Sequence, residues 1–212
     1  MFSGKNRSNY GKNTYLLKRI RAITAGAIII MTVVISFVIL TRARSSSRNE
    51  KRELIQEWNA QNYDRAYEIS KNALFQKPVD YFFLTMNGFA SYQLGISQIN
   101  NQNMLTFIDE CIFSLRKAIL NNAAKNDARL FYVLGKAYGY KGTEYSDLAI
   151  KYITMASDMS YNASDIPEYL GLAYAASGDY RKSVEAFSLA FSKNERISDN
   201  LLLSIARSYM AM

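Results

Sequence analysis

The chain has 212 residues, enough for one ordinary domain or a short repeat array with a buried core. It contains no histidine and one cysteine, Cys111, which excludes an intramolecular disulfide, histidine-based triads and histidine- or cysteine-built metal centres. The formal charge of +8 is not a nucleic-acid signal, because residues 1–49 hold nine Lys/Arg and no acid, while the remainder holds 17 basic against 18 acidic residues, a net of −1.

Residues 1–21 form a basic N-terminal tail. The run 22–41, AITAGAIIIMTVVISFVILT, carries no charge and is bracketed by Arg21 and Arg42. At about 1.5 Å per residue a helix of this length spans roughly 30 Å, the thickness of a bilayer's hydrocarbon core. It is longer than the apolar stretch of a cleavable signal peptide and no A-x-A-like site follows it, so the expectation is an uncleaved transmembrane signal anchor. Six Lys/Arg precede the run, and Arg42, Arg44, Arg48, Lys51 and Arg52 follow it, nearly a tie under the positive-inside rule. The absence of acid before the run favours an N-terminus inside the cytoplasm and a body outside it, periplasmic or extracytoplasmic in a bacterium. Residues 42–50 read as a short polar linker that keeps the body near the membrane.

From residue 47 onward small residues recur in a G-x-A-x-x-x-x-G frame: Gly88, Ala90 and Gly95; Gly135, Ala137 and Gly142; Gly171, Ala173 and Gly178. Ala206 takes the first position of a fourth copy, with Tyr209 three residues on, as Tyr138 and Tyr174 follow Gly135 and Gly171. A second pattern aligns independently, since Ala149, Ile153 and Ala156 lie 34 residues before Ser183, Phe187 and Ala190. Ala66, Ser70 and Ala73 repeat it earlier, followed by a helix-stopping Pro78. Each half has helical spacing and Gly178-Asp179 is a turn signal, so the unit is a helix–turn–helix hairpin.

This pattern resembles the tetratricopeptide repeat, whose small residues sit where two helices cross closely. The resemblance covers residues 47–212 and departs from the family in lacking its tryptophan near each repeat start. It implies an all-α fold, an α-solenoid of tandem helix–turn–helix repeats after one transmembrane helix. Pairs fall at about 47–80, 81–127, 128–163 and 164–198, with a lone helix over 199–212. The second repeat exceeds the period, mostly within 96–106, which reads as a loop between its two helices. The only tryptophan, Trp58, suits either the core or a bilayer interface. The last helix is apolar and stands as a partial cap, an exposed end that pairs with another subunit, or part of a longer array.

No catalytic constellation, phosphate-binding loop, cofactor fingerprint or metal cluster stands out, so no enzyme, cofactor or metal is expected. Cys111 takes an alanine-like position as a small buried hydrophobe. The resemblance implies a ligand groove on the inner, concave face lined by first-helix positions. Mapped onto this chain they are Phe82, Thr85, Phe89, Tyr92 and Gln93, then Arg129, Tyr132, Lys136 and Tyr140, then Asp165, Glu168 and Leu172. Such a face suits a protein or peptide with apolar anchors and some acid; the alternative is that several of its aromatics pack against the neighbouring repeat. The expected function is a membrane-anchored interaction module that scaffolds or assembles an envelope complex. The alternative is a structural subunit that self-associates through its repeat ends, with the C-terminal helix as the homo-oligomer contact.

Overall fold

The structure, a computed structural model, describes residues 30–38, 47–193 and 199–211, and every regular element among them is helical. The chain divides into two units, 1–51 and 52–212. In the first, residues 30–38 form a helix whose apolar side chains, among them Ile30, Met31, Val34 and Phe37, are all exposed. Among the described residues no helix is long and apolar enough to cross a membrane. The rest of the apolar run 22–41 lies outside the described residues.

The second unit is built from α1 (47–59, entering the unit at Arg52), α2 (Tyr63–Gln76), α3 (Tyr81–Ile96), α4 (Asn101–Ala118), α5 (Ala128–Tyr140), α6 (Ser146–Asp158), α7 (Ile166–Ser177), α8 (Tyr180–Lys193) and α9 (Asp199–Met210). Short turns join α1 to α2, α3 to α4, α5 to α6 and α7 to α8 into antiparallel hairpins, and each hairpin packs on the next. Local chemistry sets the ends. Asp80 accepts hydrogen bonds from the amides of Phe82 and Phe83 at the start of α3, and Asn100 accepts from Gln102 and Asn103 at the start of α4. Gly178 ends α7 at φ 81°, a left-handed cap that costs a glycine nothing.

The hairpins close on glycine. A Cβ added to Gly88 would overlap the Leu115 side chain, and one on Gly171 would overlap the Phe187 ring. One on Gly135 would meet the Ile153 side chain at 2.5 Å and the Ile153 backbone nitrogen at 2.8 Å. These three glycines are where the backbones of α3 and α4, α5 and α6, and α7 and α8 approach most closely, and Leu115, Ile153 and Phe187 fill the space left by the missing side chains.

A buried polar bridge ties three helices together. Asn87 of α3 donates to Ser70 of α2 at 3.2 Å and accepts from Ser114 of α4 at 2.8 Å. All three side chains are buried, so the bridge holds only in the register that pairs them.

The long second repeat contains no long loop. Its additional residues extend α3 to Ile96 and start α4 at Asn101, leaving only 97–100 outside a helix, and a 3-10 turn at Asn122–Asn126 takes up more of the excess. The loop expected over 96–106 is therefore a correction. Asn100 caps a helix that begins inside that stretch, and Met104 and Ile108 bring apolar side chains to the hairpin core. Trp58 belongs to the core as well. It packs edge-on to Tyr63 and against Phe89, between the apolar cluster of α1–α3 and the larger one that continues through α7.

Candidate functional site

The first helices α1, α3, α5 and α7 line one face of the second unit. On α3, positions 82, 85, 89, 92 and 93 recur at helical spacing and so share a stripe. Phe82, Thr85, Phe89, Tyr92 and Gln93, together with Arg129 and Tyr132 of α5, line a cleft of about 580 Å³. Lys136 and Tyr140 of α5, with Glu168 and Leu172 of α7, line a second cleft of about 220 Å³. Asp165, at the N-cap of α7, joins the two groups from between them.

The residues divide into floor and rim. Thr85, Phe89 and Tyr92 are buried, so they shape the first cleft from below; Phe82, Gln93 and Tyr132 are half-buried and Arg129 is exposed. Arg129 forms a two-pronged ion pair with Asp127, Nε to Oδ1 and an Nη to Oδ2, each at 2.9 Å. Burial would raise the Asp127 carboxyl, but the Arg129 hydrogen bonds and charge outweigh it and leave it below the usual carboxylate range. Tyr81 donates to the same carboxylate at 3.1 Å, linking α3 to the start of α5.

The partition between the clefts is a lysine among tyrosines. Lys136 Nζ donates to Tyr132 Oη and to Asp165 Oδ2, both at 3.0 Å, and lies 4.2 Å from the centre of the Tyr169 ring and 4.8 Å from that of Tyr132. Tyr132 donates to Asp165 at 2.7 Å. Asp165 makes no hydrogen bond to cap α7 and is spent on α5 instead. Burial pulls the Lys136 ammonium down, but its bonds to Tyr132 and Asp165 prevail and hold it above its ordinary value. Burial raises Tyr92 and Tyr132 strongly, and Tyr140 and Tyr169 in the same direction.

Trp58, Tyr81, Asp127, Tyr161 and Tyr169 belong to these clefts but not to the positions mapped from sequence. Trp58 enters from α1, a first helix by its place before Ala66 and Ser70, whereas the positions mapped from sequence begin with the second repeat. Tyr161 comes from the connection between α6 and α7, where a repeat register carries no information.

The fold is tetratricopeptide-like. The chain is similar to a crystal structure of MamA protein, at 21% identity over 74% of this chain and 78% of that one, with a TM-score of 0.58. It is also similar to a structure titled MamA MSR-1 C2, at 17% identity over 76% and 83%, TM-score 0.60. A thermophilic tetratricopeptide protein of Thermus thermophilus, TTC0263, aligns at 18% identity over 78% and 82%, TM-score 0.50. At these identities the likeness is one of fold. No protein-family model and no curated protein matches the chain.

Cys111 is fully buried in the hairpin core, and desolvation pushes its thiol far above the usual range, so it is a poor nucleophile. Among the described residues no group of three or more His, Cys, Asp or Glu is placed to hold a metal ion. The first cleft instead offers a large aromatic surface with the neutral amides of Asn59 and Gln93 and the Arg129 guanidinium at its edge.

Proposed function

We propose that this chain is a membrane-tethered, non-enzymatic protein-interaction module that scaffolds or assembles an envelope complex. Its partner is a peptide segment carrying an apolar or aromatic anchor and some acid. The observation that carries the reading is the cleft of about 580 Å³ walled by Trp58, Phe82 and Tyr132, with Arg129 at its rim. Rigid aromatic walls around a desolvated floor, with the Arg129–Asp127 ion pair at the edge, are where binding energy concentrates in protein interfaces. The tether is the run 22–41. Its support is the length and apolarity of that run and the helix over 30–38, which carries no charge, has only Thr32 and Ser36 as polar side chains, and is exposed all round. The N-terminus lies inside and the repeats outside.

The test is capture of partners by crosslinking in native membranes, followed by the rim variants Phe82→Ala, Gln93→Ala and Arg129→Glu. Capture is expected to fall about tenfold or more, equivalent to about 1.4 kcal/mol. Undiminished capture by all three would exclude the groove. Phe89 and Lys136 make poorer choices, because Phe89 is buried and Lys136 is tied to Asp165, so their loss would disturb the fold itself.

One observation favours a structural subunit as the second reading. α9 packs Ile205 and Ser208 onto α8 but exposes Leu202, Leu203, Tyr209 and Met210. Under this reading Leu202→Glu with Leu203→Glu abolishes self-association in light scattering, and an unchanged mass rejects it.

A further inference from the structure

Among the described glycines, all but one have a reason within the fold. A Cβ at Gly88, Gly95, Gly135 or Gly171 would press on a side chain of the facing helix, and Gly142 and Gly178 take φ of 103° and 81°. Gly139, in the last turn of α5, has neither reason. A Cβ there would meet nothing within 4 Å, and its φ lies outside the left-handed region. Glycine inside a helix costs stability relative to alanine, so packing and backbone geometry leave it unexplained. Gly139 lines the second cleft, and its missing side chain keeps that cleft open.

The charges at this cleft do not balance. Its charged lining residues are Lys136 and Glu168. Lys136 is taken by Asp165 at 3.0 Å, and Lys141, next to the lining Gly142, is taken by Asp109 at 2.7 Å. Glu168, half-buried in the first turn of α7, makes no hydrogen bond or ion pair among the described residues. With Asp165 included, two carboxylates face one ammonium. Leu172, one turn along α7 from Glu168, remains 41% exposed, and Ala173 and Ala176 add apolar surface. At about 220 Å³ the cleft is smaller than the roughly 300–1,000 Å³ of small-molecule sites and suits one side chain of a longer ligand.

We infer that the second cleft receives one aliphatic side chain of the bound segment, packed against Gly139 and Leu172, while Glu168 holds a lysine or arginine beside it. This rests on the groove reading above and adds the chemistry of its second anchor. Two independent observations carry it: an open glycine that lets a ligand approach the α5 backbone, and an unpaired carboxylate at an apolar hollow, which calls for a cation on the ligand. Together with the anchor in the first cleft, this cation sets the direction in which the segment lies along the face.

The experiment offers the full chain, in detergent micelles, a phage-displayed library of random dodecapeptides; enriched peptides are then synthesised with a fluorescent label and titrated. The wild-type chain is expected to enrich peptides with Lys or Arg directly beside an aliphatic residue. Glu168→Lys is expected to turn that preference to Asp or Glu, a reversal that loss of structure would not produce. Gly139→Leu, whose side chain enters the cleft, is expected to weaken the wild-type peptides about tenfold or more with no fall in melting temperature. Undiminished binding by Gly139→Leu overturns the inference, and so does a lowered melting temperature, which would show the space at 139 to be closed. A charge preference unchanged by Glu168→Lys overturns it too; if those peptides are still lost with Phe82→Ala, the groove reading stands. A wild-type chain that enriches no peptide overturns the groove reading and this inference together.

Discussion

Lys136 shows how a single side chain settles the character of the inner face. Its ammonium is mostly withdrawn from water, so it persists as a charge only because Asp165 and Tyr132 accept its protons and three tyrosine rings surround it. Lys136→Met would leave the Asp165 carboxylate facing tyrosines with no cation, and a loss of about 2–4 kcal/mol is expected in urea unfolding. The crossing glycines make a sharper comparison. Gly135→Ala drives a methyl group into the backbone nitrogen of Ile153, which cannot step aside, whereas Gly88→Ala meets the flexible end of Leu115. Gly135→Ala is expected to cost about 2–3 kcal/mol and Gly88→Ala less, measured as midpoint shifts at constant slope. Equal costs would show that the α5–α6 crossing yields as easily as the α3–α4 crossing.

At the scale of the helix, α4 is the instructive element. Its eighteen residues begin inside the stretch that departs from the repeat period, because Asn100 caps the amides of Gln102 and Asn103. Asn100→Ala is expected to cost about 1 kcal/mol and to raise amide exchange in the first turn of α4 before the rest of the helix. Uniform exchange along α4 would deny the cap that role. Asn87 binds α2, α3 and α4 through Ser70 and Ser114, and its replacement by alanine strands both hydroxyls in a dry interior. The crossing glycines were legible as a spaced pattern. Asn87 was not, because its neighbours at 70 and 114 are brought beside it only by the stacking of two hairpins.

For the whole molecule the tyrosine-rich inner face predicts sensitivity to alkali. Lys136 is held above the ordinary 10.5, and Tyr92, Tyr132, Tyr140 and Tyr169 are held above the ordinary 10.0. In every case the folded state binds its proton more tightly than the unfolded chain. The stability these groups contribute is therefore complete below about pH 10 and is lost as pH rises through their folded values. The phenolate absorbance of Tyr92, Tyr132, Tyr140 and Tyr169, isolated as the difference from single Tyr→Phe variants, is expected to appear together with loss of helical circular dichroism above pH 10. Ionisation of these four before any helix was lost would contradict the packing of this face.

The all-helical, repeating, tetratricopeptide-like character could be read from sequence, because close helix crossing selects small residues, glycine above all, at recurring positions. The stripe on α3 was legible for the same reason: helical periodicity alone puts Phe82, Phe89 and Gln93 on one side. Which of those residues form floor and which form rim was decided only by tertiary structure, since burial depends on what the next hairpin covers. Tertiary structure also decided that Asp165 serves Lys136 and leaves its own helix uncapped, that Trp58 joins two apolar clusters, and that the long repeat lengthens its helices. Each of these depends on distances between hairpins, to which a pattern repeated within every hairpin is blind.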